Sequence, residues 1–186
     1  MILLIAAVGF FGGLHLVPAF PNLKAKIKNA LRRSYGPVYG FASIVGLCLV
    51  IAAFRGAERV DIYEPPSWGR HANFLLTLIA FCLIGIFLSR GSWRNVLRYP
   101  MGLAVGFWGA GHLLANGDSA SLVLFGGLII AAAFQAYFSM RNVTYAPTEE
   151  RNGHNLFSLL VGLALYALFA QLHGVVIGVP VFSIGS

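Results

Sequence analysis

Apolar residues run in six long stretches along the chain, separated by short polar segments. Stretches of about twenty apolar residues are typical of helices that cross the hydrocarbon core of a membrane. The pattern therefore predicts an all-α fold, a polytopic membrane helix bundle of about six transmembrane helices. The predicted helices lie near residues 1–21, 38–54, 71–88, 99–116, 119–140 and 155–173.

The fourth predicted helix differs from the others because it is short and rich in glycine. It contains Gly102, Gly106, Gly109 and Gly111. Glycines at a spacing of four let neighbouring helix backbones approach closely in a membrane. We therefore expect Gly102, Gly106 and Gly109 to face a close neighbour or a flat cofactor.

The composition of the chain supports this class of protein. Of the 186 residues, 58% are hydrophobic and 10% are charged, whereas a soluble domain carries about a quarter charged residues. The first segment lacks a basic start and a small-residue cleavage pattern, so it is interpreted as a retained helix and not a signal peptide. Since no linker or low-complexity run divides the chain, a single integral membrane domain is predicted over residues 1–186.

Basic residues are concentrated in alternate loops. Ten of the thirteen Lys and Arg residues fall in the first, third and fifth predicted loops: Lys24, Lys26, Lys28, Arg32, Arg33, Arg90, Arg94, Arg98, Arg141 and Arg151. The positive-inside rule places these loops in the cytoplasm. The chain is therefore predicted to be a multi-pass protein of a bacterial inner membrane with both termini periplasmic. Short basic loops without an RNA- or DNA-binding motif fit contact with the anionic headgroups of the lipid bilayer and argue against nucleic acid as a partner.

Two of the five histidines lie well inside predicted helices, where ionisable side chains are rare and face the bundle interior. His15 is in the first helix, and His112 follows Trp108 by one turn with Gly109 leaving space beside it. Two histidines on different helices can ligate a haem iron axially. His15 and His112 are therefore the predicted metal ligands, and Trp108 and Gly109 are predicted to line the cofactor site. The alternative is that each imidazole only hydrogen-bonds to a neighbouring helix.

The other three histidines are weaker candidates for ligands. His71 and His173 lie at the outer ends of their predicted helices, and His154 lies in a polar turn. At about 1.5 Å of rise per residue, His15 and His112 differ in depth by about 10 Å. That offset is awkward for a shared haem unless a helix bends or the haem plane tilts, so His71 and His173 remain alternative ligands.

Four stretches of the chain resemble one family of membrane proteins. They are "GLHLVPAFP" at 13–21, "PPSWGRHANFLL" at 65–76, "RYPMGLAVGFWGAGHLLANGDSASLVLFGG" at 98–127 and "LFAQLHGVVIGVP" at 168–180. Together they look like the NnrU family, whose members are associated with nitrite and nitric oxide reduction in denitrifying bacteria. The resemblance covers almost the whole chain and implies an accessory, sensor or redox factor for a membrane reductase.

The NnrU family also includes the zeta-carotene isomerase, a haem b protein that isomerises a cis bond of a linear carotene. Its two haem-linked histidines match His15 and His112, so the resemblance implies haem b as the cofactor. The isomerase carries a cysteine three residues before its second histidine, and this chain has Gly109 there. The resemblance therefore implies haem binding but carries over no thiolate ligand.

Three functions stay open. An accessory haem protein needs a ligand pocket but no acid–base residues, which fits the six carboxylates of the chain. A haem-dependent cis-trans isomerase of the zeta-carotene type would act on a linear apolar substrate. A membrane methyltransferase that uses S-adenosylmethionine is the third alternative, because "RYPMGLAVGFWGAGHLLA" resembles the RHP-containing helix of such enzymes, with Tyr99 in place of the histidine. No catalytic residue is assigned under any of the three.

The charge distribution makes a prediction about topology. In a background with Cys48 and Cys82 replaced by alanine, Asn22→Cys should be protected from an impermeant thiol reagent in intact cells, because residue 22 is predicted to be cytoplasmic. Ser67→Cys, in the loop of residues 55–70, should be labelled. The reverse labelling pattern would overturn the predicted orientation.

Overall fold

The computed structural model describes residues 1–179 and 181, and regular structure there is helical apart from one isolated antiparallel bridge between Asp61 and Asp118. The helices are α1 (Ile2–Leu16), α2 (Pro21–Leu31), α3 (Tyr35–Arg55), α4 (Gly69–Leu88), α5 (Ser92–Leu97), α6 (Pro100–Ala115), α7 (Ser119–Ser121), α8 (Gly127–Asn142) and α9 (His154–Ile177). A π-helical turn, Leu122–Gly126, joins α7 to α8, and short 3-10 turns follow α1 and α2.

All six predicted helices are present, as α1, α3, α4, α6, the α7–α8 segment and α9. Helix α6 has 16 residues, which agrees with the expectation that the fourth helix is short. The described residues contain five helical stretches long and apolar enough to cross a membrane: Ile2–Ala19, Pro21–Arg55, Gly69–Leu88, Ser119–Asn142 and His154–Ile177. The chain is therefore an all-α membrane helix bundle, as predicted.

Two short helices occupy segments that hydropathy alone assigned to loops. The first predicted loop contains α2, and the third contains α5. In α2 the lysines alternate with apolar residues, so its average hydropathy is low although Leu23, Ile27 and Ala30 recur every three to four residues. That spacing is typical of an amphipathic helix. Helix α2 starts after the extended backbone of Phe20 and ends at Arg32, which has a φ of 49°.

The chain divides into two compact units whose sequences interleave. Unit 1 comprises Met1–Pro65 and Asn116–Ala146, and unit 2 comprises Pro66–Ala115 and the chain from Pro147 onward. Each unit has a long helix, a short helix and a second long helix in succession, followed later in the chain by a third long helix. These are α1, α2, α3 and α8 in unit 1, and α4, α5, α6 and α9 in unit 2. That residues 1–186 form a single domain stays a prediction.

In unit 1, helix α1 is central and packs against both α3 and α8. A Cβ atom added at Gly12 would lie 2.9 Å from the Cβ of Ala131, and one added at Gly127 would lie 2.7 Å from Val8 Cγ1. Both distances are too short for ordinary carbon contacts. Helices α1 and α8 can therefore approach this closely only because both positions are glycine.

The loop after α3 is tied to the segment before α7 within unit 1. The backbone N–H groups of Ile62 and Tyr63 donate to the carbonyl of Gly117 at 2.8 and 3.1 Å. In return, the N–H of Ser119 donates to the carbonyl of Val60 at 2.8 Å. The two segments therefore hold each other in place through backbone hydrogen bonds.

In unit 2, helix α4 is central and packs against both α6 and α9. A Cβ atom at Gly85 would overlap the carbonyl oxygen of Ser158, and one at Gly162 would lie 2.7 Å from Cys82 Cα. Helices α4 and α9 therefore cross with their backbones in contact. Buried apolar side chains fill the space between α4 and α6: Ala80, Leu83, Ile86 and Ala104.

The glycines of α6 do not all face a neighbour, so the expected close packing along one glycine face is wrong in part. Cβ atoms added at Gly102 and Gly106 would meet nothing within 4 Å. Gly109 is buried, and a close approach occurs at Gly111, where a Cβ would lie 2.8 Å from Asn73 Oδ1. Which glycine faces α4 depends on how α6 is rotated about its axis, and spacing alone cannot indicate that rotation.

Replacing Gly111 by leucine should therefore destabilise the protein, because the new side chain would have to displace Asn73 and Leu76 of α4. Overpacking of this kind costs about 1–3 kcal/mol. Gly111→Leu should lower the unfolding temperature in detergent and the yield of monodisperse protein. Gly106→Leu is the matched control on the same helix and should be tolerated. Equal losses for the two variants would contradict this packing of α6.

Candidate functional site

His112 lies in unit 2, three residues before the end of α6, and its side chain is half-buried. Its ring Nδ1 is 2.8 Å from the carbonyl oxygen of Trp108, and the two ring centroids are 4.9 Å apart. A carbonyl oxygen can only accept, so Nδ1 must carry the proton and donate it. The resulting tautomer has its ring lone pair on Nε2, which is the arrangement typical of metal-ligating histidines.

Trp108 connects this histidine to the core of unit 2. The indole packs against the buried cluster between α4 and α6, and Gly109 is buried next to it. Trp108, Gly109 and His112, three of the residues predicted for the cofactor site, therefore lie together on consecutive turns of α6. The core contact holds the indole, and the indole and its carbonyl orient the imidazole.

His15 lies in unit 1, one residue before the end of α1, in very similar local surroundings. Its Nδ1 is 2.8 Å from the carbonyl oxygen of Phe11, and the Phe11 ring centroid is 4.3 Å from that of the imidazole. The Tyr39 ring lies 6.2 Å away on α3, and its hydroxyl donates to the Leu14 carbonyl at 3.5 Å. As in His112, the ring lone pair is placed on Nε2.

The two histidine sites are also similar in sequence. "GFFGGLHL" at 9–16 and "GFWGAGHL" at 106–113 are identical at positions one, two, four, seven and eight, with an aromatic residue at position three of both. We call each of these eight-residue segments a histidine element. The match is short and is not a repeat of fixed period, so periodicity alone does not identify Phe11, which stands where Trp108 stands in the second element.

The remaining histidines differ in what their rings contact. His173 on α9 donates from Nδ1 to the Val179 carbonyl at 2.6 Å, and it lies in unit 2, as His112 does. His71 is exposed in the first turn of α4. His154 begins α9, and its Nδ1 accepts the backbone N–H of Arg90 at 3.3 Å. His154 therefore has the opposite tautomer, with the proton on Nε2.

Protein side chains alone do not build a metal cage in the described part of the chain. No group of three or more His, Cys, Asp and Glu residues there is arranged to hold a metal ion. A structural metal ion needs about four protein ligands, whereas haem iron takes four nitrogens from its porphyrin and needs only axial ligands.

Asp118, which follows α6 and precedes α7, is engaged in a helix cap. Its Oδ1 accepts the backbone N–H of Ser121 at 3.0 Å, and its Oδ2 accepts the Ser121 hydroxyl at 2.7 Å. Burial acts to raise the pKa of Asp118, but the hydrogen bonds from Ser121 and the positive charge of Arg59 outweigh it, so the pKa lies below its usual value. This carboxylate is built to remain ionised and to hold the start of a helix.

These features define a class of protein: an all-α membrane protein that carries two histidine elements. The family model described as NnrU protein matches residues 3–181, and the chain belongs to this family. The chain is also similar to the purine-cytosine permease fcyB of Emericella nidulans, with 27% identity over 145 residues, which is 75% of this chain and 24% of the permease. The chain thus spans about a quarter of the length of that curated relative. No solved structure matches the chain.

Removing the Asp118 carboxylate should destabilise the start of the α7–α8 segment. Asp118→Ala should cost about 1 kcal/mol, the usual value of a lost helix cap, and lower the unfolding temperature in detergent. Because the pKa of Asp118 is lowered in the folded state, its stabilising effect is complete above the usual aspartate pKa and is lost as the pH falls through the lowered value.

The variant Asp118→Asn distinguishes the effect of helix capping from the effect of the negative charge of Asp118. Asparagine also caps helices well, so this variant should remain more stable than Asp118→Ala at neutral pH. It should also lose part of the acid sensitivity of the wild-type protein, measured as the fall in unfolding temperature between neutral and acidic pH. Wild-type stability in Asp118→Ala would show that the cap contributes nothing.

Proposed function

We propose that this chain is an integral membrane protein of the bacterial inner membrane that binds haem b and acts as an accessory sensor or redox factor for nitrite or nitric oxide reduction. The observation that carries the proposal is the 2.8 Å hydrogen bond from Nδ1 of His112 to the Trp108 carbonyl. It places the ring lone pair on Nε2 and fixes the ring orientation, which are the two requirements of an axial ligand.

The surroundings of His112 support a flat apolar cofactor. The side of α6 that carries Gly102 and Gly106 has nothing within 4 Å of either position, whereas Gly109, one turn before His112, is buried. A porphyrin is flat and apolar, so it can occupy space that small residues leave open beside a helix. Haem b bound there would supply an iron that binds nitric oxide or carries one electron.

His112 and His15 are the proposed haem ligands, each supported by the contacts within its own unit. The alternative to His15 is His173, because it lies in unit 2, as His112 does, and its Nδ1 also donates to a backbone carbonyl. His71 is less favoured than His173, since its side chain is exposed. Axial ligation by histidine requires Nε2 to be deprotonated, and the Nδ1 hydrogen bonds of His15, His112 and His173 satisfy that requirement.

An accessory role is favoured over catalysis by the state of the carboxylates. Asp118, the carboxylate with a lowered pKa, is held in a helix cap by Ser121, so it is poorly suited to act as a general acid or base. Haem sensing or electron transfer needs no such group. Membership of the NnrU family supports the link to nitrite and nitric oxide reduction.

The absorption spectrum of the purified protein tests this proposal. Protein expressed with sufficient haem and purified in mild detergent should show a Soret band that is retained through size-exclusion chromatography. His112→Ala should abolish the band while the protein still elutes as a folded species, because the variant removes the ligand nitrogen and keeps the helix. His154→Ala is the matched control and should leave the band unchanged, since its ring has the opposite tautomer.

The second ligand is identified by the same measurement. His15→Ala should shift or weaken the band if His15 is the partner, and His173→Ala should do so if His173 is. A colourless wild-type protein, or an unchanged band in His112→Ala, would refute the proposed haem site. In a strain that lacks the native NnrU gene, the wild-type and His154→Ala proteins should restore growth on nitrite, and His112→Ala should not.

A further inference from the structure

Helix α2 lies at one end of unit 1, between two membrane-spanning helices. Gly46, in the middle of α3, faces Phe10 and Phe11 of α1, while Tyr39, near the start of α3, contacts Leu14 at the end of α1. Moving forward along α1 therefore corresponds to moving backward along α3, so the two helices are antiparallel. The end of α1 and the start of α3 consequently reach the same membrane surface, and α2 connects them there.

The residues of α2 are divided between an apolar face and a basic face. At 100° per residue, four apolar side chains fall within an arc of about 100°: Leu23, Ile27, Ala30 and Leu31. The small residue Ala25 and the first residue, Pro21, lie outside this arc. Lys24 borders this arc on one side and Lys26 on the other, while Lys28 lies farther round on the polar side. The segment from residue 17 to residue 34 contains no Asp or Glu, so the positive charge of this surface is uncompensated within it.

The apolar face of α2 is only partly covered by unit 1, since Ile27 and Leu31 are half-buried and Leu23 and Ala30 are exposed. No residue of α2 is buried, and the side chain of Leu23 is 46% exposed. The backbone breaks at Phe20 and at Arg32 separate the helix from both spans. A partly exposed apolar stripe bordered by lysines, at the level where two spans leave the membrane, is the arrangement of a helix that lies in the lipid interface.

We propose that α2 lies flat in the headgroup layer and binds anionic phospholipid. Leu23 and Ile27 insert toward the acyl chains, and the Lys24 and Lys26 ammonium groups extend sideways to headgroup phosphates, as long basic side chains do at interfaces. Charge selects the lipid, because a zwitterionic surface offers no net attraction to a segment without acidic residues. This interaction is independent of haem and of the two histidine elements.

A soluble anion is the competing occupant of this basic surface. An open depression on the polar side of α2 is lined by Lys28, Asn29, Arg32 and Arg33, and its positive charge is suited to phosphate from solution. The lysines that border the apolar stripe are different residues, Lys24 and Lys26. Binding to the interface and binding to a free anion therefore depend on different side chains and can be separated by substitution.

Fluorescence quenching on the full-length protein in nanodiscs tests the proposal. With Cys48 and Cys82 replaced by alanine, an environment-sensitive probe is attached to Leu23→Cys, to Ile27→Cys or, as the matched polar-side position, to Asn29→Cys. In nanodiscs that contain phosphatidylglycerol, probes at 23 and 27 should be shielded from the neutral aqueous quencher acrylamide, and the probe at 29 should stay accessible. In pure phosphatidylcholine the shielding at 23 and 27 should decrease.

Lysine substitutions identify the source of the selectivity. Lys24→Gln combined with Lys26→Gln should remove the preference for phosphatidylglycerol, with a loss of roughly fivefold in binding per lysine, measured as the lipid that co-purifies from mixed nanodiscs. Lys28→Gln is the matched control and should have a smaller effect. These variants should elute as the wild-type protein does, because they alter exposed side chains only.

Several outcomes would overturn the proposal. Equal quenching at positions 23 and 29 would show that α2 does not lie in the interface with this face inward. Shielding that is the same in both lipids would remove the selectivity for anionic headgroups. Shielding in pure phosphatidylcholine that appears only on addition of inorganic phosphate would assign the basic surface to a soluble anion.

Discussion

Helices in lipid gain little by hiding apolar side chains from surroundings that are themselves apolar, so their association depends on how closely their backbones approach. In this chain glycine provides that approach at the central helix of each unit. Gly12 lets α1 meet α8, and Gly85 lets α4 meet α9. Gly111 joins α6 to α4 one residue before His112. This close approach to Asn73 and Leu76 restricts the rotation of α6, and with it the direction of the imidazole.

A histidine within an apolar helix must find a partner for its ring N–H, because an unpaired polar group in such surroundings costs several kcal/mol. The nearest acceptor is the carbonyl one turn earlier, which has a second lone pair beside the one that the helix uses. His15 and His112 both bond to that carbonyl. The hydrogen bond that lets the ring be buried therefore also selects the tautomer with its lone pair on Nε2. The tautomer that an iron ligand needs is therefore the same one that allows the imidazole to be buried.

Much of this architecture could be predicted from hydropathy, since the length of apolar runs is set by membrane thickness. The six long helices and the two histidines placed within them follow from that rule. Helix α2 could not be found this way, because its lysines cancel the hydropathy of Leu23 and Ile27 although their spacing is helical. Nor could spacing show that Gly111 faces α4 while Gly106 faces open space. Which side of a helix meets a neighbour depends on where the neighbouring helix lies. The sequence of one helix alone does not give that position.

The two units share an order of long and short helices, yet their histidine elements occupy different places in it. The first element lies on α1, the central helix of unit 1, and the second lies on α6, which flanks the central helix of unit 2. If the elements only followed from a common helix plan, they would fall on corresponding helices. What the two share is the local chemistry instead: an aromatic ring and its carbonyl one turn before an imidazole. The repetition at non-corresponding places therefore shows that this local arrangement does not depend on the position of the helix within its unit, and that it meets the need of a half-buried imidazole for a hydrogen-bond acceptor on either helix.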